Sequence, residues 1–136
     1  MRVPPPDVVI LDTSVVLLPF EKGLDVQKET ERLLPGARLV VPSPVVNELA
    51  HLAAEGKGAS RRNAKAALAY VVRFDEYKIG GKGDDAVIQA CRRLEQEGFR
   101  VALATADQAM RFRARGKGWP VLTIRGHRAF LDGYAE

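Results

Sequence analysis

Val8-Val9-Ile10-Leu11-Asp12-Thr13-Ser14 opens the first readable element, and its composition decides the fold class. Four apolar residues run without alternation and then stop on an acid and two hydroxyls. An uninterrupted apolar run of strand length is what a strand covered on both faces requires. Leu39-Val40-Val41, Val101 to Ala104 and Val121 to Ile124 repeat the pattern, and Tyr77-Lys78-Ile79 is a shorter candidate. Between them lie helical periodicities at Leu24 to Leu34, Ser43 to Gly56, Ser60 to Val72, Asp84 to Glu97 and Gln108 to Arg115. Ser43 is a good N-cap with Pro44 at the first helical position. Pro35-Gly36 stops the first helix, and Gly98 caps the one before it. Strands alternating with helices predict an α/β fold, a three-layer α/β/α sandwich on a parallel sheet, followed by a short tail.

The chain has 136 residues, 46% hydrophobic and 28% charged. That suits one domain over residues 1–136, with its core at about 8–125. No apolar run approaches the roughly 20 residues that cross a bilayer, and Met1 to Asp7 lacks the apolar centre of a secretory segment. Cys91 is the only cysteine; it reads as a small core residue in a reducing, cytoplasmic setting. One Cys with His51 and His127 fits no zinc motif.

Net charge is +4 and unevenly placed. Residues 1–99 balance, whereas residues 100–136 carry the whole excess. Lys57, Arg61, Arg62 and Lys65 fall in a stretch free of acids, and Arg111, Arg113 and Arg115 form a second basic run. Each can be a solvated face, and the second also complements a helix C-terminus. Together they suit an anionic polymer, met through its phosphates.

In open parallel sheets, ligands bind outside the carboxyl ends of the strands. Asp12 ends the first strand. Glu48 lies one turn into the helix after the second and flanks its buried seam. Asp84 and Asp85 open a later helix, and Asp107 follows Ala104-Thr105-Ala106. Singly, each is an ordinary turn or helix-start acid. Converged on one rim they would repel, and a divalent cation would remove that cost. All-oxygen donors suit Mg²⁺ or Mn²⁺. Such ions can activate water toward phosphorus without a protein nucleophile. Ser14 and Thr105 would orient carboxylates. Gly80-Gly81-Lys82-Gly83 lacks P-loop spacing and reads as a flexible turn.

Leu11-Asp12-Thr13-Ser14-Val15-Val16-Leu17, Pro42-Ser43-Pro44-Val45-Val46-Asn47-Glu48-Leu49, Asp84-Asp85-Ala86-Val87-Ile88-Gln89-Ala90 and Ala104-Thr105-Ala106-Asp107, in this order, resemble a PIN domain. The resemblance spans about Val8 to Arg125. It implies a five-stranded parallel sheet of order 3-2-1-4-5 and a Mg²⁺- or Mn²⁺-dependent endoribonuclease acting on single-stranded RNA. It implies Asp12, Glu48, Asp85 and Asp107 as metal ligands and catalytic residues, with Asp84 as N-cap or auxiliary ligand. Asp85 is preferred because it precedes Ala-x-Ile. Many small PIN proteins are VapC toxins, commonly homodimers, that pair with an antitoxin. Trp119-Pro120-Val121-Leu122-Thr123-Ile124-Arg125 and the paired aspartates look closer to the archaeal, Fcf1-like branch, which includes ribosomal-RNA processing nucleases. A non-catalytic RNA-binding member of the same fold and a receiver-like phosphoacceptor are the competing readings. The latter lacks a placed acceptor Asp and a Lys after the last strand.

Overall fold

The computed structural model describes residues 3–134. Its elements run β1 (Val8–Leu11), α1 (Thr13–Val16), α2 (Leu18–Glu21), α3 (Val26–Leu33), β2 (Arg38–Pro42), α4 (Ser43–Glu55), α5 (Gly58–Val71) and β3 (Asp75–Tyr77). They continue as α6 (Gly83–Gln96), β4 (Val101–Thr105), α7 (Gln108–Gly116), β5 (Val121–Arg125) and β6 (Arg128–Asp132). The sheet order is β3-β2-β1-β4-β5-β6. The five expected strands are parallel and take the expected order. The sixth, where a tail was expected, returns antiparallel along β5. Gly126 and His127 form its two-residue turn, and Gly126 has φ +61°. A glycine at the first turn position supplies the left-handed backbone that tight hairpins need.

The sheet explains the apolar runs. Every residue of β1 and of β4 is buried, because helices cover both faces. Cys91 is buried on α6; burial pushes its thiol far above the ordinary range, so it packs as a small hydrophobe. Two local readings differ from the fold. Ser43 does not cap its own helix. Its Oγ donates to the Ile79 carbonyl at 2.8 Å and accepts the Ile79 amide at 2.9 Å, tying the chain after β3 to the end of β2. The third strand is Asp75–Tyr77, shifted toward the N-terminus, because pairing with β2 matches Val40 to Asp75 and Pro42 to Tyr77. Among the described residues, no helix is long and apolar enough to cross a membrane.

The outer edge of β6 is closed by side chains. Glu29 of α3 accepts the Ala129 amide at 2.8 Å, and Arg32 Nη2 donates to the Ala129 carbonyl at 2.7 Å. Arg32 also grips Glu29 through two hydrogen bonds of 3.2 and 3.0 Å. The pair satisfies one edge residue's backbone groups much as a further strand would. The Glu29 side chain is only 14% exposed. Its hydrogen bonds to Arg32 and Ala129 hold its carboxyl down to about 2.

A carboxyl whose folded pKa lies below its unfolded value stabilises the fold above that unfolded value, here near 4.5, and loses the contribution as pH falls toward 2. Glu29→Gln is expected to lower stability at neutral pH by about 1–3 kcal/mol, the worth of charge-assisted hydrogen bonds. It should also flatten the acid limb between about pH 4.5 and 2. Thermal melts of both proteins across pH 2–7 measure the two effects; parallel acid limbs would refute the assignment.

Candidate active site

Asp12 is the first residue past β1 and is 6% exposed. Its Oδ1 accepts the Thr13 amide at 2.7 Å and so caps α1. Its Oδ2 accepts from Thr105 Oγ1 at 2.7 Å and from Ser14 Oγ at 3.2 Å. Each hydroxyl has a single proton, so with both committed to Asp12 their oxygens serve as acceptors. Ser14 Oγ takes the Ala106 amide at 3.0 Å, and Thr105 Oγ1 takes the Asp107 amide at 3.1 Å. The loop after β4 is thereby fastened to the start of α1. The Asp12 backbone amide adds a bond to the Ala104 carbonyl at 3.1 Å.

Asp107 caps α7, its Oδ1 accepting the Met110 amide at 3.1 Å. Glu48 comes from the second turn of α4 and Asp84 from the first turn of α6. Asp12, Glu48, Asp84 and Asp107 all line one cleft of about 440 Å³, with Leu17, Leu18, Glu21, Lys22 and Leu52 around them. The paired aspartates part in this geometry. Asp84 faces the cleft, whereas the Asp85 side chain is 90% exposed and paired with Arg113 Nη2 at 2.8 Å. One residue along a helix turns a side chain by about 100°, which separates the two.

The cleft carries the electrostatic signature of gathered acids. Burial pushes the Asp12 carboxyl up, against the hydrogen bonds of Thr105, Thr13 and Ser14, and the Asp84 charge adds to the rise. Burial, then the Asp12 charge and more weakly that of Asp84, push Glu48 up, opposed by Thr13. Among the described residues no three His, Cys, Asp or Glu side chains stand close enough together to form a finished metal site. The donor chemistry nevertheless fits a hard divalent ion. All four acids offer oxygen, and no His or Cys lines the cleft.

The expected basic surfaces divide. Lys57, Arg61, Arg62 and Lys65 are exposed at the start of α5 and its approach. The α7 arginines are engaged within the fold. Arg111 and Arg115 reach Asp132 at 4.0 and 3.9 Å, Arg115 also donates to the Trp119 carbonyl, and Arg113 holds Asp85. Lys22, which lines the cleft, carries no sequence signal beyond following a short helix. A larger cavity of about 520 Å³ lies at the opposite, amino ends of the strands, beside Phe99, Trp119 and Tyr134. It has one carboxylate, Glu95, which accepts from Trp119 Nε1, and so lacks the convergent acids.

A family model described as "PIN like domain" matches residues 9–127. This chain belongs to the PIN-like domain family. Its fold is similar to that of the PIN domain endonuclease Utp24, with TM-score 0.75 and 23% identity over 98% of this chain and 96% of that one. It is similar to a domain of a functionally unknown protein from Methanocaldococcus jannaschii DSM 2661, at TM-score 0.61 and 17% identity over 88% and 91%. It is also similar to VapBC2 from Rickettsia felis, solved with a DNA fragment from its promoter, at TM-score 0.55 and 16% identity over 87% and 99%. At these identities the likeness is one of fold. No curated protein matches the sequence.

Raised carboxyls make the fold of this PIN-like domain less stable as pH climbs from the ordinary values of 3.8 and 4.5 through the shifted ones, because the folded state holds those protons more tightly. Glu48→Gln removes one repelling charge from beside Asp12. In chelator at pH 7 it is expected to raise the melting temperature by about 1–4 °C, on the order of 1 kcal/mol. The gain should vanish near pH 3.5. A variant that melts lower than its parent at pH 7 would mean that Glu48 is a structural acid.

Proposed function

We propose that this chain is a divalent-metal-dependent endoribonuclease that hydrolyses single-stranded RNA, and the convergence of Asp12, Glu48, Asp84 and Asp107 on one cleft carries the reading. Asp12, Glu48, Asp84 and Asp107 would hold Mg²⁺ or Mn²⁺, with Asp85 outside the cleft as a partner of Arg113. A bound ion supplies Lewis acidity toward an attacking water and the leaving oxygen. Thr105, Ser14 and the Thr13 amide fix the Asp12 carboxylate so that it needs no reorganisation on binding. Asp107 is fixed similarly by its cap. Lys22 places a positive charge at the cleft where a phosphate would lie, and Leu17, Leu18 and Leu52 give an apolar wall. No hydroxyl, thiol or imidazole nucleophile is needed, because the gathered carboxylates suit activation of water.

Of the two settings for such an enzyme, RNA processing is favoured over a toxin held by an antitoxin. Trp119 to Arg125 and the paired aspartates support it, through their resemblance to the Fcf1-like branch. A second copy of the chain and a blocking antitoxin remain tests of the toxin reading.

Asp12→Asn should abolish cleavage of a long unstructured RNA in Mn²⁺ while the protein stays folded. Asp84→Asn should lower the rate at least about 100-fold, the scale of losing a metal ligand or its support, and Asp85→Asn far less. Millimolar Mn²⁺ should raise the parent's melting temperature by mass action and leave Asp12→Asn nearly unmoved. Cleavage that survives chelator, or equal losses at Asp84 and Asp85, would overturn the assignment.

A further inference from the structure

We propose that the β5–β6 hairpin is an RNA-binding surface beside the cleft, gripping the strand through Arg125 and Arg128 and stacking a base on Phe130; the identity of the partner rests on the nuclease reading. Position is the first argument. Leu11 of β1 is in register with Ala104 of β4, and Ala104 with Leu122 of β5. Arg125 therefore stands about 7 Å beyond the level of Asp12, and about 10 Å to its side, at strand dimensions. The hairpin rises from the same rim as the acids, one or two nucleotides away.

Charge and chemistry are the second argument. From Ile124 to Leu131 the sequence holds Arg125, His127 and Arg128 and no acid. Arg125 lies 5.6 Å from the centroid of the Phe130 ring, and Phe130 is 45% exposed. Arg125 makes no ion pair among the described residues, and Arg128 makes one long pair, 3.8 Å from its Nε to Glu29, a carboxylate that also binds Arg32 and the Ala129 amide; Asp132 faces Arg111 and Arg115. Arg128, Phe130 and Asp132 alternate onto one face of β6. On α7, Arg111 is held by Asp132 at 4.0 Å and packs 5.2 Å from the Phe112 ring, so it braces this face and adds no free cation to it. Arginines that stack on exposed aromatic rings are the elements of a sequence-tolerant platform for single strands. The platform is rigid, since the Glu29–Arg32 clamp holds its outer edge.

The test is fluorescence anisotropy of a labelled, unstructured 20-nucleotide RNA in chelator, over a series of KCl concentrations. Arg125→Gln/Arg128→Gln should weaken binding about tenfold at low salt and reduce the logarithmic salt slope by about 1.4, two phosphate contacts' worth for a single strand. Phe130→Ser should weaken binding several-fold at an unchanged slope. Photocrosslinking of 4-thiouridine RNA to the unaltered protein should label residues 124–131, a readout that no folding defect in a variant can affect. Unchanged affinity and slope, or crosslinks confined elsewhere, would overturn the proposal. So would a dimer that these substitutions dissolve without loss of RNA binding, which would make the face a contact between copies. RNA bound and crosslinked at the hairpin but never cut in Mn²⁺ would leave this surface standing and sink the nuclease reading instead.

Discussion

A carboxylate inside a sheet rim is the constraint around which the rest is arranged. Removing Asp12 from water costs several kcal/mol if nothing replaces the lost hydration. Three donors replace it, from the start of α1, its first turn and the end of β4. They do not replace it fully, because the carboxyl remains pushed up by burial. A fold that places an acid where its charge is under-compensated, then gathers other acids about it, holds electrostatic strain, and the proposed cation would act on that strain. One of the three, from Thr105, ties the end of β1 to β4 across 93 residues of sequence. The acid that makes the site electrostatically uncomfortable is thus also what fixes its geometry.

Topology explains why those partners meet. From β1 the chain moves outward to β2 and β3, then returns past β1 to β4 on its other side. At such a reversal the connections leave toward opposite faces and a crevice opens between the strand ends. Asp12 and Thr105 flank that crevice directly. The helices after β2 and β3 begin at the same rim, which brings the early turns of α4 and α6, and hence Glu48 and Asp84, over it. Parallel strands alone make this possible, because their carboxyl ends all lie on one side.

Most of this was legible in the sequence where a residue's place followed from a strand end. Asp12 and Asp107 follow apolar runs, and Glu48 follows from helix phase against Val45, Leu49 and Leu52. Asp84 and Asp85 were not separable that way. Ala86, Val87, Ile88, Ala90 and Cys91 are all buried, so α6 offers a stripe too wide to fix its phase within one residue. The family resemblance favoured Asp85, and the helix entry turns Asp84 inward instead. The pairing of the α7 arginines was hidden for another reason. Their partners, Asp85 and Asp132, are brought near only by tertiary packing. β6 did leave a signal, Gly126-His127 as a turn after the apolar run of β5, but a strand of five residues that begins on Arg128 and ends on Asp132 resembles a polar tail until its pairing with β5 is known.

That sixth strand changes what the edge of the sheet can do. Without it, β5 would present an open row of backbone groups, an invitation to pair with another chain. An antiparallel return closes β5, and the Glu29–Arg32 pair then covers part of the new edge, so the exposed row is short. Because β5 runs parallel to β1, the turn that makes this return must lie at the carboxyl rim. A parallel crossover would need a dozen or more residues and would carry the chain to the opposite rim. The tight hairpin instead leaves Arg125, His127 and Arg128 beside the acids. Edge closure and the placing of cations near the cleft are therefore consequences of one choice of connection.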